Sequence, residues 1–118
     1  MIDIAAIGVC QKFLMFSNKK NEIFRWIFED PESTKQVFPI PPVLEKLQVS
    51  KIFCDLKGYH SIIFLSSAQN KLSYYFHLKS QKFKELNKLK DVHIESLAFD
   101  ETKSTEFSTN VYYIYYKI

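Results

Sequence analysis

Residues 49–67 read VSKIFCDLKGYHSIIFLSS, in which two apolar runs rich in branched and aromatic residues flank a short polar segment. Such runs are typical of β-strands that are buried on at least one face. Between them, Asp55-Leu56-Lys57-Gly58 has Asp and Gly at the first and fourth positions of a type I turn, which Asp55 is expected to cap. The stretch is therefore predicted to form a β-hairpin.

The same alternation of short apolar runs and polar turns continues on both sides of this hairpin. Phe83, Leu86 and Leu89 recur at a helical spacing, but a strand followed by a turn fits the surrounding pattern better than a short helix. The predicted strands are Asp3–Cys10, Lys12–Phe16, Glu22–Phe28, Lys35–Phe38, Val49–Asp55, Ser61–Leu65, Leu72–Leu78, Lys82–Leu86, His93–Phe99 and Val111–Ile118.

The strands repeat as a unit. Phe16-Ser17 followed by Asn21 aligns with Leu65-Ser66 followed by Asn70, at an offset of about 49 residues. Four strands per unit at this spacing are typical of a β-propeller blade, and blades must stack because none buries both of its faces alone. We predict an all-β chain, an incomplete β-propeller of about two four-stranded antiparallel blades plus the start of a third.

The predicted blade boundaries follow from the repeat. They are 1–48 for the first blade, 49–91 for the second and 92–118 for the partial third, with Pro39-Ile40-Pro41-Pro42 as a loop between the first two. The aromatic run Tyr112–Tyr116 is expected to be buried between blades. The predicted core comprises Ile7, Val9, Phe13, Met15, Ile52, Phe53, Ile63, Leu65, Tyr75 and Phe99.

Composition excludes several classes of protein. The chain has 118 residues, enough for one domain, and its 47% hydrophobic content excludes a disordered chain. With 2 glycines, a Gly-rich phosphate loop is not expected, and a net charge of +3 is too small to indicate nucleic acid. No apolar run approaches the roughly 20 residues of a membrane helix, and Asp3 disfavours a signal peptide.

The residue types that usually carry chemistry form no recognisable constellation. Cys10 and Cys54 fit no zinc pattern, and free thiols in a reducing, cytosolic compartment are favoured over a disulfide. His60, His77 and His93 are spaced too widely for a helical metal motif and are interpreted as structural. We therefore predict no enzyme activity, no metal, no organic cofactor and no small-molecule substrate.

A lysine-rich stretch is the one charged feature of note. Between Lys71 and Lys90 there are six lysines against a single glutamate, Glu85. An ordinary solvated face is the favoured interpretation, followed by contact with a lipid or acidic protein surface; nucleic acid ranks last because Arg25 is the only arginine. The candidate residues for contact with an anionic surface are Lys79, Lys82, Lys84, Lys88 and Lys90.

Four blocks of the second unit carry a family resemblance. They are the stretch from Lys51-Ile52-Phe53 through Asp55 and Gly58 to His60, the strand end Leu65-Ser66-Ser67, the turn Ser80-Gln81-Lys82, and Glu95-Ser96 followed by Phe99. In this order they resemble the amino-terminal β-propeller of the deep orange (Pep3-like) family of vacuolar sorting proteins. The family has Trp where this chain has Phe99, and its solenoid and RING-type zinc module have no counterpart here.

The resemblance implies a role as a scaffold. Members of the family are core subunits of the HOPS and CORVET complexes, which tether vesicles to endosomes, lysosomes or vacuoles before membrane fusion. It implies other tethering subunits as partners, small endosomal GTPases or fusion proteins through the complex, and peripheral membrane contact. The alternative is a β-propeller fragment of an unrelated coat or ubiquitin-related assembly; a small β-rich enzyme is disfavoured.

Overall fold

The computed structural model describes residues 4–39, 47–80, 82–107, 109 and 111–117, with the side chains of 31, 33–39 and 111–117 left undescribed. Ten strands form in this part of the chain, close to the predicted ones. They are β1 (Ile4–Val9), β2 (Phe13–Asn18), β3 (Glu22–Ile27), β4 (Asp30–Pro39), β5 (Gln48–Cys54), β6 (His60–Ser66), β7 (Lys71–His77), β8 (Lys82–Glu85), β9 (His93–Phe99) and β10 (Val111–Lys117).

The strands form three antiparallel sheets in chain order. The first sheet is β1-β2-β3-β4, the second is β5-β6-β7-β8, and the third is the pair β9-β10. Two four-stranded meanders followed by the start of a third confirm the predicted all-β, incomplete propeller. The blade boundaries at 1–48, 49–91 and 92–118 stay a prediction, and most of the proline loop, residues 40–46, lies outside the described residues.

The second sheet is buried from both sides because its two faces contact different neighbours. Ile63 lies opposite Ile52 and Tyr74, whereas Ile62 lies opposite Phe53 and Tyr75. Since successive side chains of a strand point to opposite faces, the register separates these two groups. The Ile63 face packs against the first sheet, and the Ile62 face is turned towards the third.

The main core lies between the first and second sheets. Met15 and Ile23 of the first sheet are fully buried in the same cluster as Val49, Ile63 and Leu65 of the second. An aromatic group closes its outer side, where the ring of Phe83 stacks on that of Tyr74 with 4.5 Å between centroids. Burial of such side chains, at about 25 cal/mol per Å² of apolar surface, is the main force that holds the two sheets together.

The predicted core is right for half of its members and wrong for two. Met15, Ile52, Ile63, Leu65 and Phe99 are buried, while Phe13, Phe53 and Tyr75 are half-buried. The prediction is wrong for Ile7 and Val9, which are 52% and 71% exposed on the outer face of β1.

The alternation of β1 turns small residues inward instead. Ala6 and Gly8 face the second sheet, where a Cβ on Gly8 would lie 2.6 Å from the carbonyl oxygen of Ile52. Only glycine permits this approach of β1 to β5. The hydrophobicity of Ile7 and Val9 therefore indicated a strand correctly, but not which of its faces is covered.

The expectation of free thiols is also wrong. Cys10, just after β1, and Cys54, at the end of β5, form a disulfide with their Cα atoms 5.9 Å apart. The close approach of β1 to β5 at Gly8 places the two cysteines at adjacent positions. The disulfide thereby links the first sheet to the second.

The segment after β8 combines both sequence interpretations. β8 ends at Glu85, and a single 3₁₀ turn covers Asn87–Leu89. The helical spacing of Phe83, Leu86 and Leu89 therefore corresponds to a strand followed by one short turn, as predicted. Within the described ranges, no helix has the length and hydropathy that crossing a membrane requires.

Candidate docking face of the second sheet

The face of the second sheet that is turned towards the third carries most of the polar side chains singled out in the sequence. We call it the docking face and define it by His60, Ile62 and Phe64 of β6, Tyr75 and His77 of β7, and Lys82 and Lys84 of β8. The pairing of His60 with His77, of Ile62 with Tyr75, and of Tyr75 with Lys84 places them in adjacent rows. β9 covers its inner part, where the ring of His93 meets Phe64 edge-on at 5.5 Å.

The turn between β5 and β6 fixes one end of this face. The amide of Gly58 donates to the carbonyl of Asp55 at 3.1 Å, and Gly58 has a φ of 77°. A Cβ there would also lie 2.5 Å from the ring of Phe13 in the first sheet. Glycine is thus required at position 58 for two reasons, the left-handed backbone conformation and the close contact between the two sheets.

Asp55 is fully buried in this turn and is satisfied by two donors. Its Oδ1 accepts from the backbone amide of His60 at 3.0 Å, and its Oδ2 accepts from the hydroxyl of Ser104 at 2.7 Å. Asp55 caps its turn, as the sequence predicted, and in addition holds the connection between β9 and β10.

His60 is fully buried and bridges the same two elements. Its Nε2 lies 2.6 Å from the carbonyl oxygen of Thr105, and its Nδ1 lies 2.6 Å from the hydroxyl of Tyr75. Because a carbonyl can only accept, Nε2 is assigned the proton and Nδ1 accepts from Tyr75. Burial, together with the nearby Asp55 carboxylate, raises the pKa of Tyr75, which keeps its hydroxyl protonated as the donor.

His77 repeats this arrangement one step along the sheet. Its Nε2 lies 2.5 Å from the carbonyl oxygen of Glu106, and its Nδ1 accepts from the hydroxyl of Ser80 at 2.6 Å. The rings of His60 and His77 are neighbours, with 5.3 Å between centroids. Two imidazoles of the docking face therefore donate to two successive carbonyls of an irregular segment, which we call the 104–106 segment.

Lysines secure both ends of the 104–106 segment. Lys57 donates to the carbonyl of Ser104 at 3.0 Å, and Lys79 forms an ion pair with the carboxylate of Glu106. That carboxylate raises the pKa of Lys79 through its hydrogen bond and its charge. The segment is held by its main-chain carbonyls and by the side chains of Ser104 and Glu106.

A second contact joins β9 to β5. Lys51 donates to the carbonyls of Ile94 and Glu95 at 2.9 and 3.0 Å and approaches the Glu95 carboxylate at 3.4 Å. Lys51, through its hydrogen bond and charge, lowers the pKa of Glu95, with His93 contributing at 2.9 Å. His93 thus contacts Phe64 and Glu95.

The predicted lysines lie along the outer edge of the docking face and differ in their contacts. All five are exposed, but Lys79 is engaged by Glu106. No ion pair is found between another described residue and any of the remaining four, which are Lys82, Lys84, Lys88 and Lys90. The structure therefore separates one lysine that secures the fold from four with exposed charge.

The two histidines of the docking face are engaged in hydrogen bonds that hold the fold together. No cluster of three or more His, Cys, Asp or Glu side chains that could hold a metal ion is found among the described residues. Both histidines on the docking face have both ring nitrogens occupied by hydrogen bonds. This arrangement can hold a chain segment against a sheet.

Sequence reasoning missed the 104–106 segment as a functional element. Its residues, Ser104-Thr105-Glu106, have no strand or turn signature, and three of the groups that bind the segment do so through main-chain carbonyl oxygens, which every residue has. The block from Asp55 through Gly58 to His60 could have indicated the site, because a buried Asp and His in one turn need partners elsewhere.

These sheets and their stacking define the class of protein, a segment of a β-propeller. The model of the Pep3/Vps18/deep orange beta-propeller domain matches residues 2–113, nearly the whole chain, and the chain belongs to this family of vacuolar sorting proteins. No curated protein matches it significantly. The resemblance inferred from the second unit is confirmed.

Proposed function

We propose that this chain is a non-catalytic protein-interaction scaffold, the propeller part of a subunit of an endolysosomal tethering complex. Family membership supports a vacuolar-sorting scaffold, since the match covers residues 2–113. The chain would act in vacuolar protein sorting and membrane fusion, as part of HOPS or CORVET. The proposed location is cytoplasmic and peripheral on late endosomes, lysosomes or the vacuole.

The observation that carries this proposal is the binding of the 104–106 segment. Two imidazole donors and Lys57 hold this irregular segment by its main-chain carbonyls, while Asp55 and Lys79 hold the side chains of Ser104 and Glu106. Main-chain hydrogen bonds combined with side-chain contacts are a general mode of peptide recognition between proteins. The proposed partners are other tethering subunits and, through them, small endosomal GTPases or fusion proteins.

Four lysines that form no ion pair with another described residue give the scaffold a positively charged surface for contact with anionic partners. Lys82, Lys84, Lys88 and Lys90, together with Lys79 at its end, would face acidic protein or peripheral membrane. Exposed charges of this kind accelerate association and set its salt dependence more than they add affinity. No nucleic acid is proposed as a partner.

Affinity purification of the tagged endogenous protein, followed by mass spectrometry, tests the proposal. We expect recovery of the other core tethering subunits and of small endosomal GTPases. Recovery of a coat or ubiquitin-related assembly in their absence would contradict it and support the alternative, a propeller scaffold in another complex. A tagged chain with Asp55→Ala, which disrupts the docking face, is the control. Proteins recovered equally with both chains are captured non-specifically.

A further inference from the structure

The first and second sheets are linked to each other at both ends of β2. At one end, in the turn after β2, the side chain of Asn21 donates to the carbonyl of Leu47 and accepts from the amide of Val49 at 3.0 Å. At the other end, just before β2, Cys10 is bonded to Cys54. One link is therefore made of hydrogen bonds, and the other is a covalent bond that thiols can open and close.

The covalent link lies at the turn that holds the 104–106 segment. Cys54 directly precedes Asp55, whose carboxylate accepts from the hydroxyl of Ser104 at 2.7 Å. On the other side of the bond, Cys10 belongs to the hairpin between β1 and β2, where its amide donates to the carbonyl of Phe13 at 2.9 Å. The disulfide thus joins this hairpin to the turn on which the attachment of the segment depends.

A disulfide in this position is unusual for the proposed cytoplasmic location. Glutathione and thioredoxin keep cytosolic thiols reduced, and the disulfides that do form there are usually transient, catalytic or redox-sensing. The two sulfurs are also unequally placed: Cys10 is 4% exposed, whereas Cys54 is half-buried and lines a cavity of about 370 Å³ between β1, β5 and β9. A small thiol therefore has a route to Cys54.

We propose that Cys10 and Cys54 form a redox switch, which opens and closes with the balance of glutathione and glutathione disulfide and sets how firmly the 104–106 segment is held. In the closed state the turn that carries Asp55 is fixed to the first sheet. In the open state the buried core and Asn21 still join the two sheets, while this turn gains freedom. The inference rests on the proposed function for its cytoplasmic setting.

Opening of the bond consumes two molecules of glutathione. The thiolate of the first attacks the sulfur of Cys54, the S–S bond breaks, and Cys10 leaves as a thiolate that takes up a proton. The thiolate of the second attacks the glutathione sulfur of this mixed disulfide, which releases Cys54 and forms glutathione disulfide. The two cysteines gain two electrons and two protons, and closing is the reverse reaction.

Equilibration of the purified 118-residue chain in a series of glutathione buffers tests whether the bond exchanges. Alkylation of free thiols followed by mass spectrometry gives the fractions of disulfide and dithiol. We expect the same fractions from oxidised and from reduced starting protein, with both forms populated in buffers that contain mainly reduced glutathione. A bond that stays closed in excess glutathione, or a dithiol that glutathione disulfide does not close, would overturn the proposal.

Hydrogen exchange of the oxidised and reduced chains tests the coupling to the docking face. Reduction should accelerate exchange about tenfold or more at the amides of Asp55 and Gly58 and in the 104–106 segment. The amide of Val49, which Asn21 holds at the opposite end, should change by less than about twofold because opening is local. Equal acceleration at both ends, or none in the 104–106 segment, contradicts the switch.

Two variants separate the bond from general effects of the reductant. Cys10→Ser with Cys54→Ser cannot close and should exchange like the reduced wild type in both buffers; a response of this variant to glutathione would count against the proposal. Asn21→Gly keeps the left-handed backbone, where Asn21 has a φ of 61°, and removes only the side chain. It should accelerate exchange at Val49 in both redox states.

The switch and the tethering role fail separately. Absence of exchange with glutathione, with tethering subunits still recovered by affinity purification, overturns only the switch. A working switch in a chain that is recovered with an unrelated assembly overturns only the tethering role. Circular dichroism of the oxidised and reduced chains and of each variant confirms that the sheets remain folded.

Discussion

At the residue scale, three residues in and beside one turn account for the attachment of the 104–106 segment to the docking face. Gly58 allows the left-handed turn and the contact with Phe13, while Asp55 and His60 reach the 104–106 segment. The sequence predicted the turn and the capping role of Asp55 from residue types. It could not predict the buried partners, because Ser104 and Thr105 lie over 40 residues away with no signature of their own.

Replacing Asp55 should destabilise the fold because two buried hydrogen-bond donors depend on its carboxylate. Asp55→Ala leaves two buried donors, the His60 amide and the Ser104 hydroxyl, without acceptors. We expect a loss of about 3 kcal/mol in the free energy of unfolding, measured by urea denaturation. Asp55→Asn keeps one acceptor and should cost less.

Glu29→Ala, at an exposed turn, is the matched control for this measurement and should change stability by no more than about 0.5 kcal/mol. An equal effect of Asp55→Ala and Glu29→Ala would contradict the assigned role of Asp55.

Two half-buried tyrosines, Tyr74 and Tyr75, predict a loss of stability at alkaline pH. Burial raises the pKa of Tyr74 and Tyr75 above the unfolded value of 10.0, with Glu85 and Asp55 contributing respectively. The folded state then holds these protons more tightly than the unfolded state. Their contribution is therefore fully present below about pH 10 and is lost as the pH rises through the folded values.

Urea denaturation at a series of pH values across this range measures the effect. Tyr74→Phe with Tyr75→Phe should reduce the alkaline slope, whereas the Lys79–Glu106 pair, whose lysine pKa is also raised, remains in both proteins. An unchanged slope in the double variant would assign the loss to other groups.

At the element scale, β1 and β5 are the strands that join the first two sheets. Gly8 lies against the carbonyl of Ile52, and Cys10 is bonded to Cys54 one step beyond. Strand positions were predictable because apolar runs and turns alternate regularly. The covered face of β1 was not predictable, because Ile7 and Val9 are more apolar than Ala6 and Gly8. The close approach of the β1 and β5 backbones, rather than hydrophobicity, decides which residues turn inward.

The disulfide should contribute substantially to stability. It connects residues 44 positions apart, and the chain-entropy model gives about 4 kcal/mol for a loop of that length. Cys10→Ser with Cys54→Ser should therefore lower the free energy of unfolding by about that amount in urea. Thiol titration of the denatured wild type should find no free thiol, and two free thiols in protein purified without reductant would contradict the pairing.

At the scale of the whole molecule, each sheet needs a neighbour on both faces, and the second sheet has both. The outer face of the first sheet carries exposed Ile7, Val9 and Phe28, with the rings of Trp26 and Phe28 packed edge to face at 6.0 Å. The aromatic run Tyr112–Tyr116 was expected to be buried between blades, but its side chains lie outside the described residues. The propeller class was predictable from the repeat and the family from four blocks in order, whereas the docking face required the register of three sheets.

The exposed face predicts self-association of the isolated chain. Ile7→Lys with Val9→Lys places charge on this face, at positions already more than half exposed, without disturbing the core. Sedimentation velocity over a range of concentrations should show association of the wild type and a shift of the double variant towards monomer. Phe107→Lys, at another exposed aromatic, should still associate; a concentration-independent wild-type monomer would contradict this prediction.

Crosslinking mass spectrometry of the tagged protein in its native assembly tests the central claim, that this chain acts through its docking face as a scaffold of a tethering complex. An amine-reactive crosslinker samples every exposed lysine, so Lys12 and Lys20 of the first sheet serve as internal references away from the docking face. The account predicts intersubunit crosslinks to other tethering subunits, concentrated at Lys82, Lys84, Lys88 and Lys90. Crosslinks confined to the chain itself, or intersubunit crosslinks only from Lys12 and Lys20, would contradict it.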